Sequence, residues 1–163
     1  MPVRQIRLFG DPVLRSVCDP IRPGDARAAG LVADLLETVR EPGRAGVAAN
    51  QIGVGLRAFS FNVDDEVGYI INPQIIELGG TPELVDEGCL SVPGFYFPRR
   101  RHPFARVRGV DLDGAEIELS GEGLMAQALQ HEVDHLEGRL YIEGLEPETK
   151  REAMRAIRQA PWY

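Results

Sequence analysis

Two of the three histidines in this chain, His131 and His135, are four residues apart, and Glu132 directly follows the first. On a helix, residues i and i+4 lie on the same face, so both imidazoles can point a ring nitrogen at one divalent metal. Glu132 then lies beside the metal without ligating it, where a general base for a water molecule is needed. The alternative is two surface histidines on a polar helix, because such short patterns recur by chance.

A catalytic metal centre usually takes three protein ligands and keeps one position open for water. Cys89 is a candidate for the third ligand, because it lies on an extended, strand-like segment after Gly88. It can instead be a core cysteine or a nucleophile, but a nucleophile needs a histidine as its base. Both well-placed histidines already have metal-ligand spacing. Coordination by Cys89 would supply the missing third ligand and would need no histidine as a base. A thiolate with two imidazoles suits Zn²⁺ or Fe²⁺ rather than Mg²⁺ or Ca²⁺.

Residues 43–53 form a run of small side chains that contains Gln51. Small side chains let another segment approach the backbone closely, whether a neighbouring helix or a bound ligand. Tight internal packing is the default interpretation of such a run. Gln51 is the exception, because its amide can donate a hydrogen bond to a developing oxyanion.

Hydrophobic periodicity predicts the elements that carry these residues. Apolar residues recur at helical spacing from residue 25 to 42, with Asp25 as a candidate cap. Two more helices are predicted at 124–137, ended by Gly138, and at 147–159. Short apolar runs between turn residues predict antiparallel strands at 56–63, 67–71, 74–78, 104–110 and 115–119.

Composition bounds the class of protein. The chain has 163 residues, and we expect one domain over residues 1–163. Its net charge of −7 argues for a soluble protein without a general nucleic-acid surface, so no DNA partner is expected. It has no apolar run near 18 residues and no signal-peptide pattern, so we expect no membrane contact. Two cysteines are too few for a disulfide framework, which favours the cytoplasm.

Two further features are interpreted as structural. Cys18 is expected to be a buried, inert thiol, since free cysteine behaves as a small hydrophobe. Residues 99–102 form the only local basic cluster and are interpreted as a charged loop rather than an RNA contact.

Three segments together resemble the motifs of the peptide deformylases, in order and at suitable separations. They are residues 46–51 (GVAANQ), 87–91 (EGCLS) and 130–138 (QHEVDHLEG). Each motif is moderately specific, and all three in one chain of this length are highly specific. The resemblance covers nearly the whole chain. It implies an α+β fold, in which short, mostly antiparallel β-sheets pack around a central metal-bearing α-helix, with an N-terminal and a C-terminal helix.

The resemblance also implies the reaction, which is hydrolysis of the N-formyl group from the N-terminal formyl-methionine of nascent polypeptides, releasing formate. It implies that Cys89, His131 and His135 bind one divalent metal, Fe²⁺ in the cell, which Zn²⁺ or Ni²⁺ can replace in purified protein. The substrate partner is then an N-formyl-methionyl nascent peptide, with a transient ribosome contact as an expectation.

Further roles follow from the same resemblance. Glu132 is implied as the general base and acid, while the Gln51 amide and the Leu90 backbone N–H hold the oxyanion. The residues implied to line the methionine pocket are Ala45, Gly46, Val85, Gln127 and Ala128.

This chain departs from the family pattern at three positions near the substrate. Arg44 stands where glycine is usual, so we expect a more polar cleft rim. Gln127 stands where an apolar residue is expected. Tyr96 stands where some members have an arginine near the peptide.

Three other classes of protein remain as alternatives. A His-Glu-x-x-His protease is disfavoured, because the position of the third histidine in one protease group holds Tyr141. An inactive relative acting as a binding module would have lost a ligand or Glu132, and this chain keeps both. A structural metal site would have four protein ligands, and only three are evident.

Overall fold

The structure, a computed structural model, describes residues 3–163. Its α-helices are α1 (Ala28–Val39), α2 (Gly123–Leu136) and α3 (Pro147–Ile157). Its strands are β1 (Gly46–Ala48), β2 (Ala58–Val63), β3 (Glu66–Gly79), β4 (Glu83–Cys89), β5 (Val92–Arg101), β6 (Phe104–Val110) and β7 (Glu116–Glu122). Short 3-10 helices lie at Pro12–Arg15, Ala49–Ile52 and Tyr141–Gly144.

The strands form two antiparallel sheets. One has five strands in the order β1-β2-β3-β6-β7, and the other pairs β4 with β5. With α1, α2 and α3 packed on them, the sheets confirm the predicted α+β class. Among the helices within residues 3–163, none has the length and apolar character needed to cross a membrane.

The predicted strands at 67–71 and 74–78 are one strand, β3, with an irregularity between them. Asn72 has a φ of 53°, and the pairing with β6 shifts register between Ile71 and Gln74. The Asn72 side-chain amide accepts a hydrogen bond from the Ile21 N–H and donates one to the Ile21 carbonyl, each 2.8 Å long. These two bonds compensate for the left-handed backbone, which asparagine tolerates better than most residues.

The helix α1 matches its predicted position, but its start differs. The Asp25 carboxylate accepts from the Arg27 backbone N–H at 2.9 Å, and the helix begins at Ala28 without a side-chain cap. The cap prediction for Asp25 was therefore wrong, because this residue closes the turn that precedes the helix. The buried side of α1 packs against β1, β2 and β3 through Leu31, Val32, Leu35 and Val39.

Helix α2 lies in the centre of the molecule. Its residues Leu129, Val133 and Leu136 belong to a core cluster with β2, β3 and β6. The helix ends as predicted, since Gly138 has a φ of 77° and donates to the carbonyl of His135. Asn50, which is fully buried, donates to the same carbonyl at 2.6 Å. The 3-10 helix at Ala49–Ile52 is thus tied to the end of α2 that carries His135.

The hairpin of β4 and β5 was not predicted. Residues 99–101, interpreted as part of a charged loop, lie in β5, and Arg101 is only 6% exposed. The loop interpretation was therefore wrong, because the run pairs with β4 and turns one arginine inward. On β5, Phe95 and Phe97 stack and contact a third core cluster that includes residues of α3.

Candidate metal centre

Cys89 and the two histidines converge from separate parts of the chain. Cys89 ends β4, whereas His131 and His135 lie one turn apart on α2. Cys89 Sγ lies 3.3 Å from His135 Nε2, which lies 3.1 Å from His131 Nε2. Possible ligand atoms of the three residues all lie within 4.8 Å of one another. The juxtaposition that the sequence predicted is therefore present.

The chemistry of this cluster fits a divalent metal. His131 Nδ1 lies 2.7 Å from the Glu87 carboxylate, which holds the proton on Nδ1 and leaves the Nε2 lone pair free. A thiolate and two imidazoles form a donor set suited to a borderline-soft transition metal. Within residues 3–163, the cluster contains three such residues. That number is typical of a catalytic centre with an open position rather than a closed structural site.

Glu87 and Arg101 form a chain of hydrogen bonds that ends at His131 Nδ1. Arg101 binds both oxygens of Glu87, at 2.8 and 2.6 Å, and also reaches Asp134 at 2.8 Å. Burial alone would raise the pKa of the Glu87 carboxyl, but the hydrogen bonds from Arg101 and His131 outweigh burial and lower the pKa to about 2. Glu87 is therefore ionised, and it orients His131 as an acceptor of the Nδ1 proton.

The two imidazoles have opposite electrostatic environments. Burial lowers the pKa of His135, and the neighbouring His131 lowers it further. Burial also opposes the charged form of His131, but interactions with Cys89, Glu132 and Glu87 prevail and raise its pKa. The negative groups around His131 are the kind that also favour a bound cation.

Glu132 lies beside the cluster with free proton-accepting capacity. Its Oε2 is 4.0 Å from His131 Nε2, and its Oε1 is buried without a hydrogen-bond partner among the described residues. Burial raises the pKa of this carboxyl to about 7. A carboxyl with a pKa near neutrality can both take and return a proton, which is what a general base and acid requires.

Gln51 and Leu90 lie near Cys89 in the same cavity. Gln51 Nε2 is 3.6 Å from Cys89 Sγ, and both residues line the cavity that contains His131 and Glu132, as does Leu90. A side-chain amide donor next to the cluster is suited to bind a developing oxyanion.

The cavity has a volume of about 460 Å³. Four of the five residues implied for the methionine pocket line it: Ala45, Gly46, Gln127 and Ala128. The structure does not bring Val85 there, because Val85 lines the neighbouring cavity, which shares Leu124 and Gln127 with this one.

The structure also describes the three unusual positions. The Arg44 guanidinium donates to the carbonyl of Thr38 at 2.9 Å, and Arg44 does not line the cavity. Its neighbours Gly43 and Ala45 do line the cavity, so the expectation of a more polar rim at Arg44 stays a prediction. Gln127 does contribute a polar group and donates to the Asp86 carbonyl on β4 at 3.1 Å. Tyr96 lines the cavity mouth and is 75% exposed.

No role was predicted from the sequence for Glu87, Arg101 or Ser91. Glu87 contacts His131 and Ser91 contacts Gln51, whereas Arg101 contacts Glu87. A signal existed for Glu87, because residues i and i+2 of a strand face the same side, and Cys89 is two residues further on. Arg101 faces the interior because β5 pairs with β4. The run of charged residues at 99–102 gave no sign of this pairing.

Comparison with known proteins gives a consistent result. The chain matches the family model described as polypeptide deformylase over residues 3–151. It is 46% identical over 162 residues to the peptide deformylase of Acidothermus cellulolyticus, covering 99% of this chain and 89% of that protein. Among solved structures, a peptide deformylase from Legionella pneumophila superposes with a TM-score of 0.88 at 35% identity, covering 97% of this chain and 95% of the other. A peptide deformylase from Ehrlichia chaffeensis in complex with actinonin gives a TM-score of 0.88 at 30% identity, covering 98% of each chain.

Proposed function

The chain belongs to the peptide deformylase family, and from that premise we propose a role for each side chain around its metal centre. It is a metallohydrolase that removes the N-formyl group from nascent polypeptides. The reaction adds water across the formyl C–N bond and yields formate and a free amino terminus. The assignment of roles depends on one observation: three metal-ligating side chains converge beside a buried carboxylate with an unpartnered oxygen.

Cys89, His131 and His135 would hold the divalent metal through Sγ and the imidazole nitrogens that face it. Such an ion supplies Lewis acidity and lowers the pKa of a water molecule toward neutrality. Glu87 fixes the tautomer of His131, so that its Nδ1 carries the proton and its Nε2 faces the cluster.

Glu132 takes the proton from the attacking water at Oε2, the oxygen that lies 4.0 Å from His131 Nε2, and returns it to the departing amine nitrogen. Its pKa of about 7 suits both transfers near neutral pH. The Gln51 amide and the Leu90 backbone N–H donate to the formyl oxygen as negative charge develops on it. Removing one such donor is expected to lower turnover on the order of 100-fold.

The cavity residues Ala45, Gly46, Gln127 and Ala128 receive the methionine side chain. Gln127 gives this pocket a polar edge, because this residue lines both this cavity and the neighbouring one. We expect the edge to reduce the preference for methionine over a polar residue of similar length.

Fe²⁺ is the proposed ion in the cell, with Zn²⁺ or Ni²⁺ as replacements in purified protein. The donor set suits all three, and the family resemblance favours iron. With Fe²⁺ bound, activity is expected to decay in air, since Cys89 can be oxidised. A cytoplasmic location, favoured by the low cysteine count, and a transient contact with the ribosome remain predictions.

The test is a deformylase assay on protein purified without oxygen, with metal content measured on the same sample. We expect release of formate from formyl-Met-Ala-Ser and about one metal ion per chain. Glu132→Ala is the matched control, since it should retain the metal and lose at least about 100-fold in turnover.

Two outcomes would contradict this assignment. Cleavage of casein without release of formate would instead identify a protease. Wild-type turnover by Glu132→Ala would show that Glu132 is not the general base.

A further inference from the structure

The amide of Gln51 is held at both ends by buried partners. Its Oε1 accepts from the Ala48 backbone N–H at 3.0 Å, and its Nε2 donates to Ser91 Oγ at 3.1 Å. Gln51 is 1% exposed and Ser91 is fully buried. Bulk water therefore does not compete for these contacts, and protein atoms set the orientation of the amide.

The backbone N–H of Ala48 decides which way round this amide lies. A backbone N–H only donates, so it selects the amide oxygen and turns the amide nitrogen to the other side. If the amide were reversed, its NH₂ group would face the Ala48 N–H. Two buried donors would then lack an acceptor, which is energetically costly. Ser91 alone does not make this selection, because a hydroxyl both donates and accepts.

Ser91 instead determines which hydrogen of the amide nitrogen remains available. Nε2 carries two hydrogens, and one of them is bonded to Ser91 Oγ. The same nitrogen lies 3.6 Å from Cys89 Sγ, so the second hydrogen points toward the metal centre. We infer that Ser91 is a positioning residue, which occupies one amide hydrogen of Gln51 and thereby aims the other at the formyl oxygen. This inference rests on the proposed role of Gln51 as an oxyanion donor.

The main chain holds Gln51 and Ser91 at a fixed separation. Near the start of the chain, the Arg7 N–H donates to the Gln51 carbonyl at 2.7 Å, and the Phe9 N–H donates to the Ser91 carbonyl at 2.8 Å. One short segment therefore joins the 3-10 helix at Ala49–Ile52 to the turn between β4 and β5. Without the Ser91 hydroxyl, only the Ala48 N–H would hold the amide, so the last torsion of Gln51, which is intrinsically broad, would be less restricted while these main-chain bonds persist.

The test is a double-mutant cycle of Ser91→Ala and Gln51→Ala, measured on zinc-loaded protein with metal content checked. We expect Ser91→Ala to lower kcat about tenfold, equivalent to one neutral hydrogen bond, with KM changed less than about twofold. In the Gln51→Ala background, Ser91→Ala should lower kcat further by less than about twofold, because there is no amide left to aim.

Two variants separate positioning from general structure. Ser60 is also fully buried, and its hydroxyl donates to the Leu35 carbonyl at 2.9 Å without lining the cavity. Ser60→Ala therefore removes an equivalent buried hydroxyl and should leave kcat unchanged. Ser91→Thr keeps the hydroxyl and should retain kcat within about threefold of wild type. It also serves as the second variant if Ser91→Ala does not fold.

A spectroscopic measurement reports on the amide itself. The side-chain NH₂ of Gln51 gives two signals in ¹⁵N–¹H spectra of the zinc-loaded protein. Ser91→Ala should shift at least one of them, and Ser60→Ala should shift neither. Unmoved Gln51 signals, fully additive losses of kcat in the cycle, or a folded Ser91→Thr enzyme as impaired as Ser91→Ala would overturn the role of Ser91. If Gln51→Ala alone retains wild-type kcat, the proposed oxyanion role of Gln51 fails instead.

Discussion

Gly46 lies directly against the carboxylate of Glu132. A Cβ atom added at position 46 would stand 2.7 Å from Glu132 Oε2 and 2.8 Å from its Cδ. No real Cβ contact is that short, so the carboxylate would have to move. Because a carboxylate is the far end of a flexible side chain, the fold would survive while the position of the proposed general base changes.

We therefore expect Gly46→Ala to fold and bind metal but to lose at least about tenfold in kcat, as part of the 10²–10⁴-fold effect of a well-placed base. The matched control is Gly55→Ala, because a Cβ there would meet nothing within 4 Å. Steady-state kinetics and metal analysis of both variants check this prediction. Wild-type kcat in Gly46→Ala would mean that Glu132 tolerates displacement and is not the positioned base.

A second prediction concerns the support of His131 by Glu87. Glu87→Gln removes the negative charge that accepts the Nδ1 proton, so the imidazole becomes a weaker ligand. We expect metal affinity to fall about 10- to 100-fold, measured by competition with a chelator. The control is Glu118→Gln, which changes an exposed carboxylate paired with Arg108 at 2.9 Å and should leave affinity unchanged. Equal affinity of both variants would contradict a supporting role for Glu87.

A third prediction concerns stability and uses two arginines. Arg101 is buried and is bonded to Glu87 and Asp134, so Arg101→Met would remove the arginine partner of a buried carboxylate and leave only His131 beside it. We expect the free energy of unfolding to fall by about 3–5 kcal/mol. Arg108→Met, at an exposed pair, should cost no more than about 1 kcal/mol. Urea denaturation of both variants tests the contrast, and similar losses would show that the Glu87 carboxylate finds another partner.

A fourth prediction distinguishes the two cysteines by labelling. Cys18 is buried, whereas Cys89 is partly exposed in the cavity. After metal removal, iodoacetamide at pH 8 should modify Cys89 in the folded protein and reach Cys18 only in urea. Mass spectrometry of the labelled peptides checks this prediction. Labelling of Cys18 without urea would contradict the expected inert thiol.

Cys18 also gives a dependence of stability on pH. Burial raises the pKa of its thiol to about 11, from an ordinary value of 9.0. The folded state therefore favours the neutral thiol, and this stabilisation is complete below about pH 8 and is lost as the pH rises toward 11. The free energy of unfolding of wild type should fall more steeply between pH 8 and 11 than that of Cys18→Ala. Parallel curves would show that Cys18 titrates normally.

The elements that carry local signals were predictable from the sequence. Helix α2 follows the spacing of Leu129, Val133 and Leu136, and its end follows from Gly138. The metal cluster was predicted because the spacing of His131 and His135 leaves one ligand to be found, and the family motifs contain Cys89.

Features that depend on contacts between distant residues were not predictable. The hairpin of β4 and β5 was missed, because its outward charges conceal the alternation that places Arg101 inside. The bulge at Asn72 depends on hydrogen bonds to Ile21, which is 51 residues away. The hydrogen bond from the Arg44 guanidinium to the Thr38 carbonyl likewise depends on the packing of α1 beside this segment.

Cys89 belongs to the two-stranded sheet, whereas both histidines belong to a helix that packs on the five-stranded sheet. An ion held by all three therefore acts as a cross-link between two layers of the molecule. Its binding free energy should add to the free energy of unfolding. Removal of the ion by a chelator should weaken the contact between β4 and α2 first. Amide hydrogen exchange in β4, compared before and after chelation, would record how firmly the ion joins the two layers.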